Sequence, residues 1–146
     1  MKISAGLLMY RMKNGKIEVF LVHPGGPFCK NKDDGVWDIP KGEVEEGEDM
    51  LLAAKREFEE ETSFKADAKK FIKLTPVKRP GKIVHIWAFE GDCDPSKIKS
   101  NTCKVEWPPR SGKQMEIPEV DRGDFFDLET AKKKLWPYLG ALIREF

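Results

Sequence analysis

The stretch Gly42–Phe64, GEVEEGEDMLLAAKREFEEETSF, decides how this chain is read. No Gly or Pro interrupts it between Asp49 and Thr62, and Leu51, Ala54 and Phe58 recur at helical spacing. Glu48 and Asp49 stand where the positive end of a helix dipole favours acid. Gly42 and Gly47 mark the preceding segment as loop. At about 100° per residue, Glu57, Glu60 and Glu61 fall at roughly 0°, 300° and 40°, on one face. Phe58, Ala54 and Leu51 form an apolar stripe beside that face, while Glu59 points away to solvent.

Like charges three and four residues apart each cost a helix a few tenths of a kcal/mol. Three of them beside a core call for a counter-charge. Lys55, Arg56 and nearby lysines could supply it, making the face an ordinary solvated acidic one. A hard divalent cation is the other solution. Magnesium prefers carboxylate oxygen and keeps several waters, which leaves room for a diphosphate. Such a cation polarises a phosphoryl oxygen and acidifies water, and a neighbouring glutamate can act as the general base.

Outward from this helix the chain reads as strands. Ile3–Met12 is an apolar run ending at Asn14-Gly15, a strong hairpin signal, and Ile17–Val22 returns. A Pro/Gly-rich loop then carries His23 and leads to a short extended piece, Val36–Ile39. Lys41–Glu48 is expected as loop. Phe71–Val77 and Ile83–Phe89 are strand candidates separated by Arg79-Pro80-Gly81, with another near Cys103–Trp107. Trp107–Lys113 reads as loop and Phe125–Leu128 as a last short strand. Glu129–Lys134 and Pro137–Arg144 look helical, with a break at Pro137. Strands flanking one central helix, with more helix at the end, imply an α/β fold with a mixed sheet between helices. Antiparallel hairpins exclude a purely parallel sheet.

The 146 residues suit one domain spanning 1–146. A formal net charge of +1 provides no global field for nucleic acid or an anionic membrane, so phosphate chemistry must be local. No stretch reaches the roughly 20 apolar residues of a membrane span. Ile3–Tyr10 lacks the length and cleavage site of a secretory signal. Cys29, Cys93 and Cys103 are odd in number and form no Cys-x-x-Cys pair. Reduced thiols in the cytoplasm are therefore expected rather than disulfides or structural zinc.

Gly42, Glu48 and Arg56-Glu57-Phe58-x-Glu60-Glu61-x-Ser63-Phe64 stand at the spacing of the Nudix box, which this segment resembles. Ser63 departs from it, standing where the family has its closing glycine, past the helix end. Phe58 is bulkier than the usual aliphatic residue. The resemblance covers 23 residues and implies an α/β/α sandwich with a loop–helix–loop metal site. It also implies a pyrophosphohydrolase acting on acid anhydrides, with magnesium, or manganese in its place, as cofactor. Glu57, Glu60 and Glu61 are the implied metal ligands, with a backbone carbonyl near Lys41–Gly42 completing the shell. Glu57 or Glu60 would sit by the attacking water, and Arg56 would orient a catalytic glutamate and pair with Glu48.

Trp37-Asp38-Ile39-Pro40-Lys41-Gly42 resembles the Trp-x-x-Pro-Lys-Gly lead-in of members acting on diadenosine polyphosphates. The expected substrate is accordingly a dinucleoside polyphosphate such as diadenosine tetraphosphate. ADP-ribose or a nucleoside triphosphate is the alternative. Pro80, sixteen residues past the box, is a mark of ADP-ribose-cleaving members, but it is also explained by a hairpin turn. A non-catalytic nucleotide-binding module is the rival of another class, opposed by the intact box carboxylates. Lys41, Trp37 and Arg110 are candidate substrate contacts: Lys41 for an outer phosphate, Trp37 for a base or for the core, Arg110 from a loop that could close over the ligand. Glu116 or Glu119 could add a base or ligand. His85 and His23 are left between cleft and core. The expected partner is a small nucleotide, neither nucleic acid nor membrane, bound by a monomer or homodimer.

Overall fold

The computed structural model describes residues 1–146. Its main sheet is seven-stranded and mixed. β1 (Lys2–Lys13) turns back into β2 (Lys16–Pro24) through Asn14 and Gly15, both at positive φ (53° and 77°). That geometry matches strand twist and suits Asn-Gly. β3 (Lys41–Glu43) lies antiparallel against Ser4–Gly6 of β1, so a strand replaces the start of the loop expected there. β4 (Ile72–Lys73) and β5 (Val77–Arg79) both pair with β6 (Lys82–Glu90), which runs parallel to β1. β9 (Val120–Asp127) completes the sheet against β2.

Helix α1 (Met50–Thr62) covers one face. The Asp49 side chain caps its start, accepting from the Leu52 N–H. Phe58 stacks edge-on against Phe89 and tilts against Phe20, within a core that includes Ala5, Leu7 and Met9 of β1. The opposite face is covered by α2 (Leu128–Lys134) and a C-terminal 3₁₀ helix, Pro137–Glu145. Ala131, Leu135, Leu139 and Leu142 pack there on Leu8, Val84 and Ile86. The arrangement is the expected α/β/α sandwich with a mixed sheet.

Three further expectations change in detail. The run Phe71–Val77 is not one strand: Pro76 has no N–H for a ladder, and Thr75 donates its N–H to the Glu145 carboxylate instead. The C-terminal segment is 3₁₀ rather than α, and it contains Gly140 beyond the Pro137 break. Gln114–Pro118, not anticipated as a strand, is β8, which pairs with β7 (Thr102–Glu106) in a separate hairpin outside the main sheet. That hairpin bears on the site. Arg79-Pro80-Gly81 forms the β5–β6 turn, with Arg79 opposite Lys82.

Candidate metal centre and its cleft

Arg56 organises the acidic helix. Its guanidinium holds both oxygens of Glu48 (Nε–Oε2 2.9 Å, Nη2–Oε1 3.0 Å), the planar fork that a carboxylate matches. Nη1 also reaches Glu57 at 2.9 Å and Glu60 at 3.2 Å. The hydrogen bond to Arg56 pulls the Glu48 carboxyl below its ordinary pKa. The box arginine thus ties the loop before α1 to its glutamate face.

Glu57 is buried against the loop glycine. A Cβ on Gly42 would fall on the Glu57 carboxylate, so only glycine lets the β3 backbone lie so close. One helical turn on, Glu61 is 6% exposed. Glu119, between β8 and β9, joins them. One carboxylate oxygen from each of Glu57, Glu61 and Glu119 lies within 4.8 Å of the others. Two backbone bonds fix Glu119: its N–H donates to Asn101 O, and its carbonyl accepts from Gly25 N–H, both at 3.0 Å.

The electrostatics follow from the crowding. Burial, then Glu119 and Asp38, push the Glu61 carboxyl up to about 9, against the pull of Lys41. Burial and Glu60 raise Glu57 despite Arg56. Burial and Glu60 raise Glu119, offset by a hydrogen bond with Glu61 and by Lys41. Without a cation Glu61 keeps its proton at neutral pH. Two buried carboxylates and one half-buried one offer oxygen donors only, the donor chemistry that Mg²⁺ or Mn²⁺ takes. The residues present fit such an ion.

A cleft of about 270 Å³ opens beside the cluster, lined by Lys41, Asp38, Glu61, Cys103, Ile117 and Glu119 among others. Lys41 points into its wall and bonds Asp38 Oδ2 at 2.8 Å. Burial depresses the Lys41 ammonium, but Asp38, Tyr138 and Glu61 outweigh it and leave its pKa raised. Lys41 is therefore a fixed cation, not a solvated loop lysine.

Of the residues singled out from sequence, Gly42, Glu48, Arg56, Glu57 and Glu61 are brought together, with Lys41 at the cleft. Glu60 stands apart from the Glu57–Glu61–Glu119 trio, half-exposed and held by Arg56. Trp37 as a substrate contact needs correction. It is 3% exposed, donates Nε1–H to Asp33 and packs edge-on against His23 and Phe126. No ring face is left for a base. Arg110 sits exposed at the tip of the β7–β8 hairpin at φ 62° and does not line the cleft. Glu116 accepts from Thr102 on the exposed hairpin, which leaves Glu119 as the carboxylate at the site. His85 bonds Lys73 Nζ at 2.9 Å on the sheet edge. His23 is fully buried between Asp121 and Lys32 O. Asp38 and Tyr138 were missed as neighbours of Lys41. Asp38 carried one signal, its place inside the Trp-x-x-Pro-Lys-Gly lead-in.

Comparison with known proteins agrees with this geometry. A family model described as NUDIX domain matches residues 1–146. Nudix hydrolase 7 of Arabidopsis thaliana is 43% identical over 65 residues, 44% of this chain and 22% of that protein. An RNA pyrophosphohydrolase of Pelagibacter ubique is 39% identical over 66 residues, 37% of this chain and 42% of that protein. The chain thus matches less than half the length of these curated relatives. A C. elegans Ap4A hydrolase, solved as a binary complex, superposes with TM-score 0.67 at 26% identity, covering 100% of this chain and 95% of that one. The NUDIX domain of Shewanella oneidensis NrtR, solved with ADP ribose, gives TM-score 0.64 at 14% identity over 99% and 87% of the two chains, a likeness of fold. With the box intact from Gly42 to Glu61 and the match running from end to end, the chain belongs to the Nudix family.

Proposed function

We propose that this chain is a divalent-cation-dependent hydrolase of a diphosphate linkage, with a dinucleoside polyphosphate such as diadenosine tetraphosphate as its substrate. One observation carries the proposal: the convergence of Glu57, Glu61 and Glu119 beside a cleft that also presents Lys41. Those three carboxylates would hold magnesium or manganese. When bound, the cation draws charge from a phosphoryl oxygen and makes water more acidic. Glu60 lies next to the cluster yet outside it, half-exposed, and takes the proton of the attacking water. Arg56 holds Glu57 and Glu60 in place, and the Gly42 backbone lines the same corner. Lys41, anchored by Asp38, offsets phosphate charge as a fixed point in the wall. Arg110 and Trp37 are left out of this assignment by their positions.

The Trp-x-x-Pro-Lys-Gly lead-in and the full-length likeness to an Ap4A hydrolase favour a long phosphate chain. The ADP-ribose alternative has only Pro80, which the β5–β6 turn already explains. A second reading has an observation of its own. The stretch 65–82 carries Lys65, Lys69, Lys70, Lys73, Lys78, Arg79 and Lys82 against Asp67 alone, and one curated relative is an RNA pyrophosphohydrolase. A 5′-triphosphorylated RNA is therefore the second substrate class to test. Three unpaired thiols fit a reducing, cytoplasmic setting, and no helix is long and apolar enough to cross a membrane.

The test is a panel of diadenosine tetraphosphate, nucleoside triphosphates, ADP-ribose and 5′-triphosphorylated RNA, with magnesium or with a chelator, products resolved by chromatography. Magnesium-dependent cleavage fastest on diadenosine tetraphosphate is expected. Silence on every member would leave a binding module in its place.

A further inference from the structure

A second cavity adjoins the acidic cleft. It measures about 260 Å³ and lies between the Gly25–Phe28 loop and the β7–β8 hairpin, bordered by Phe28, Val105, Glu106, Trp107, Pro109 and Ile117. Ile117 also lines the acidic cleft, so the two spaces share a wall. The hairpin comes this close because the loop has no side chains in the way. A Cβ on Gly25 would meet the Pro118 carbonyl, and one on Gly26 would meet the Ile117 side chain. The glycine pair thus creates the slot as well as holding Glu119 through the Gly25 N–H.

The chemistry of this slot differs from that of the cleft. Its walls are aromatic and aliphatic. Phe28 is 65% exposed, with Lys32 Nζ 4.0 Å from its ring centroid, and Trp107 is half-buried. Single exposed apolar residues are ordinary, but two aromatics facing one cavity mark a binding surface. The volume falls below the range of about 300–1,000 Å³ usual for whole drug-sized ligands, which suits one planar ring system rather than a nucleotide. At the lip, Glu106 Oε1 accepts from the Arg110 N–H at 2.8 Å, which fixes the carboxylate and leaves its other oxygen unpartnered. A carboxylate there accepts from an exocyclic amine, as carboxylates do from cytosine N4.

We propose that this slot is the base subsite: it stacks the nucleobase of the substrate against Trp107 and Phe28 and selects an amino-bearing base through Glu106. The proposal rests on the hydrolase assignment, since the phosphates must occupy the neighbouring acidic cleft. Its test is nevertheless independent of turnover.

The experiment is calorimetric titration of the protein, in magnesium, with AMP, with ribose 5-phosphate and with purine riboside 5′-monophosphate, which lacks the amine. AMP is expected to bind at least tenfold more tightly than ribose 5-phosphate. Trp107→Ala should weaken AMP by about 5- to 150-fold, the range of one aromatic stacking contact, and leave ribose 5-phosphate unchanged. Trp107→Phe should retain most of the affinity, and Phe28→Ala should lose part of it. Glu106→Ala, which removes the acceptor, should erase any preference for AMP over the amine-free nucleotide. Thermal melts of each variant control for folding. Equal or undetectable binding of AMP and ribose 5-phosphate by wild type, or indifference of AMP to Trp107→Ala, overturns the subsite. A silent hydrolysis panel with this discrimination intact would remove the assigned reaction and leave the subsite standing.

Discussion

Glu119 places a carboxylate oxygen within 4.8 Å of that of Glu61, although one comes from the last turn of α1 and the other from the entry to β9. The pair divides the acidic residues into two groups. Glu57, Glu61 and Glu119 face one another at the wall of the cleft, whereas Glu60 answers to Arg56 at its margin. If these three hold the cation as proposed, replacing any of them by Gln exchanges a charged ligand for a neutral one. Each such variant is expected to weaken Mn²⁺ binding, read by calorimetry, by at least tenfold. Glu60→Gln should keep cation affinity within a few-fold of wild type and lower kcat by about 10²–10⁴, the usual worth of a general base. If Glu60→Gln lost the cation while Glu119→Gln kept it, the division would be the wrong way round.

The same crowding makes the cation-free protein sensitive to pH. A carboxyl that binds its proton more tightly when folded favours the folded state in acid. That gain is complete below the ordinary glutamate value of 4.5 and is lost as pH rises through the folded value, about 9 for Glu61. Glu57 and Glu119 shift in the same direction. Chelator-treated protein should therefore melt several degrees lower at pH 9 than at pH 6. Excess magnesium should narrow the gap, because the ion takes the place of the protons. A cation-free melting temperature that rises from pH 6 to pH 9 would contradict the burial assigned to this cluster.

What the sequence disclosed, and what it hid, has a physical pattern. Helix α1 was legible, with Glu48 and Asp49 marking its start, because helical period, charge and the absence of Gly and Pro all agree over that window, and the structure adds the cap by Asp49. The Asn14-Gly15 hairpin was legible because the turn dipeptide and the apolar runs on either side of it agree. Glu119 could not be separated from Glu116, since the choice depends on the path of the β7–β8 excursion. Gln114–Pro118 does alternate, with Met115 and Ile117 between polar neighbours, but the run is only five residues long, closes on a Pro and pairs outside the main sheet, so the signal was weak. The Asp38–Lys41 bond is a side-chain matter that spacing alone does not reveal.

Trp37 tests the boundary between core and cleft. It sits in the lead-in to the box, where a stacking role is tempting, yet its indole is enclosed by His23 and Phe126. Trp37→Ala should cost about 3–5 kcal/mol of stability, as large-to-small core changes do. Trp37→Phe loses the Asp33 hydrogen bond and should cost less. In Trp37→Phe, KM for the nucleotide should stay within twofold of wild type, measured well below its melting temperature. A selective rise in KM without loss of stability would return Trp37 to the substrate.

His23 is fully buried and uses both ring nitrogens, Nδ1 with Asp121 Oδ1 at 2.8 Å and Nε2 with Lys32 O at 2.7 Å. The carbonyl can only accept, so Nε2 carries hydrogen. The ring ties the loop after β2 to β9, two residues from Glu119. His23→Ala leaves a cavity where a fully buried ring stood, while Asp121 and Lys32 O belong to exposed residues that water can satisfy, so the cavity dominates the cost. A loss of about 2 kcal/mol or more in urea unfolding is expected, with weakened Mn²⁺ binding in the protein that remains folded, because the β9 entry loses one of its ties. His23→Gln can serve one partner at a time and should fall between the two. Full stability in His23→Ala would show that the loop and β9 hold their places without this link.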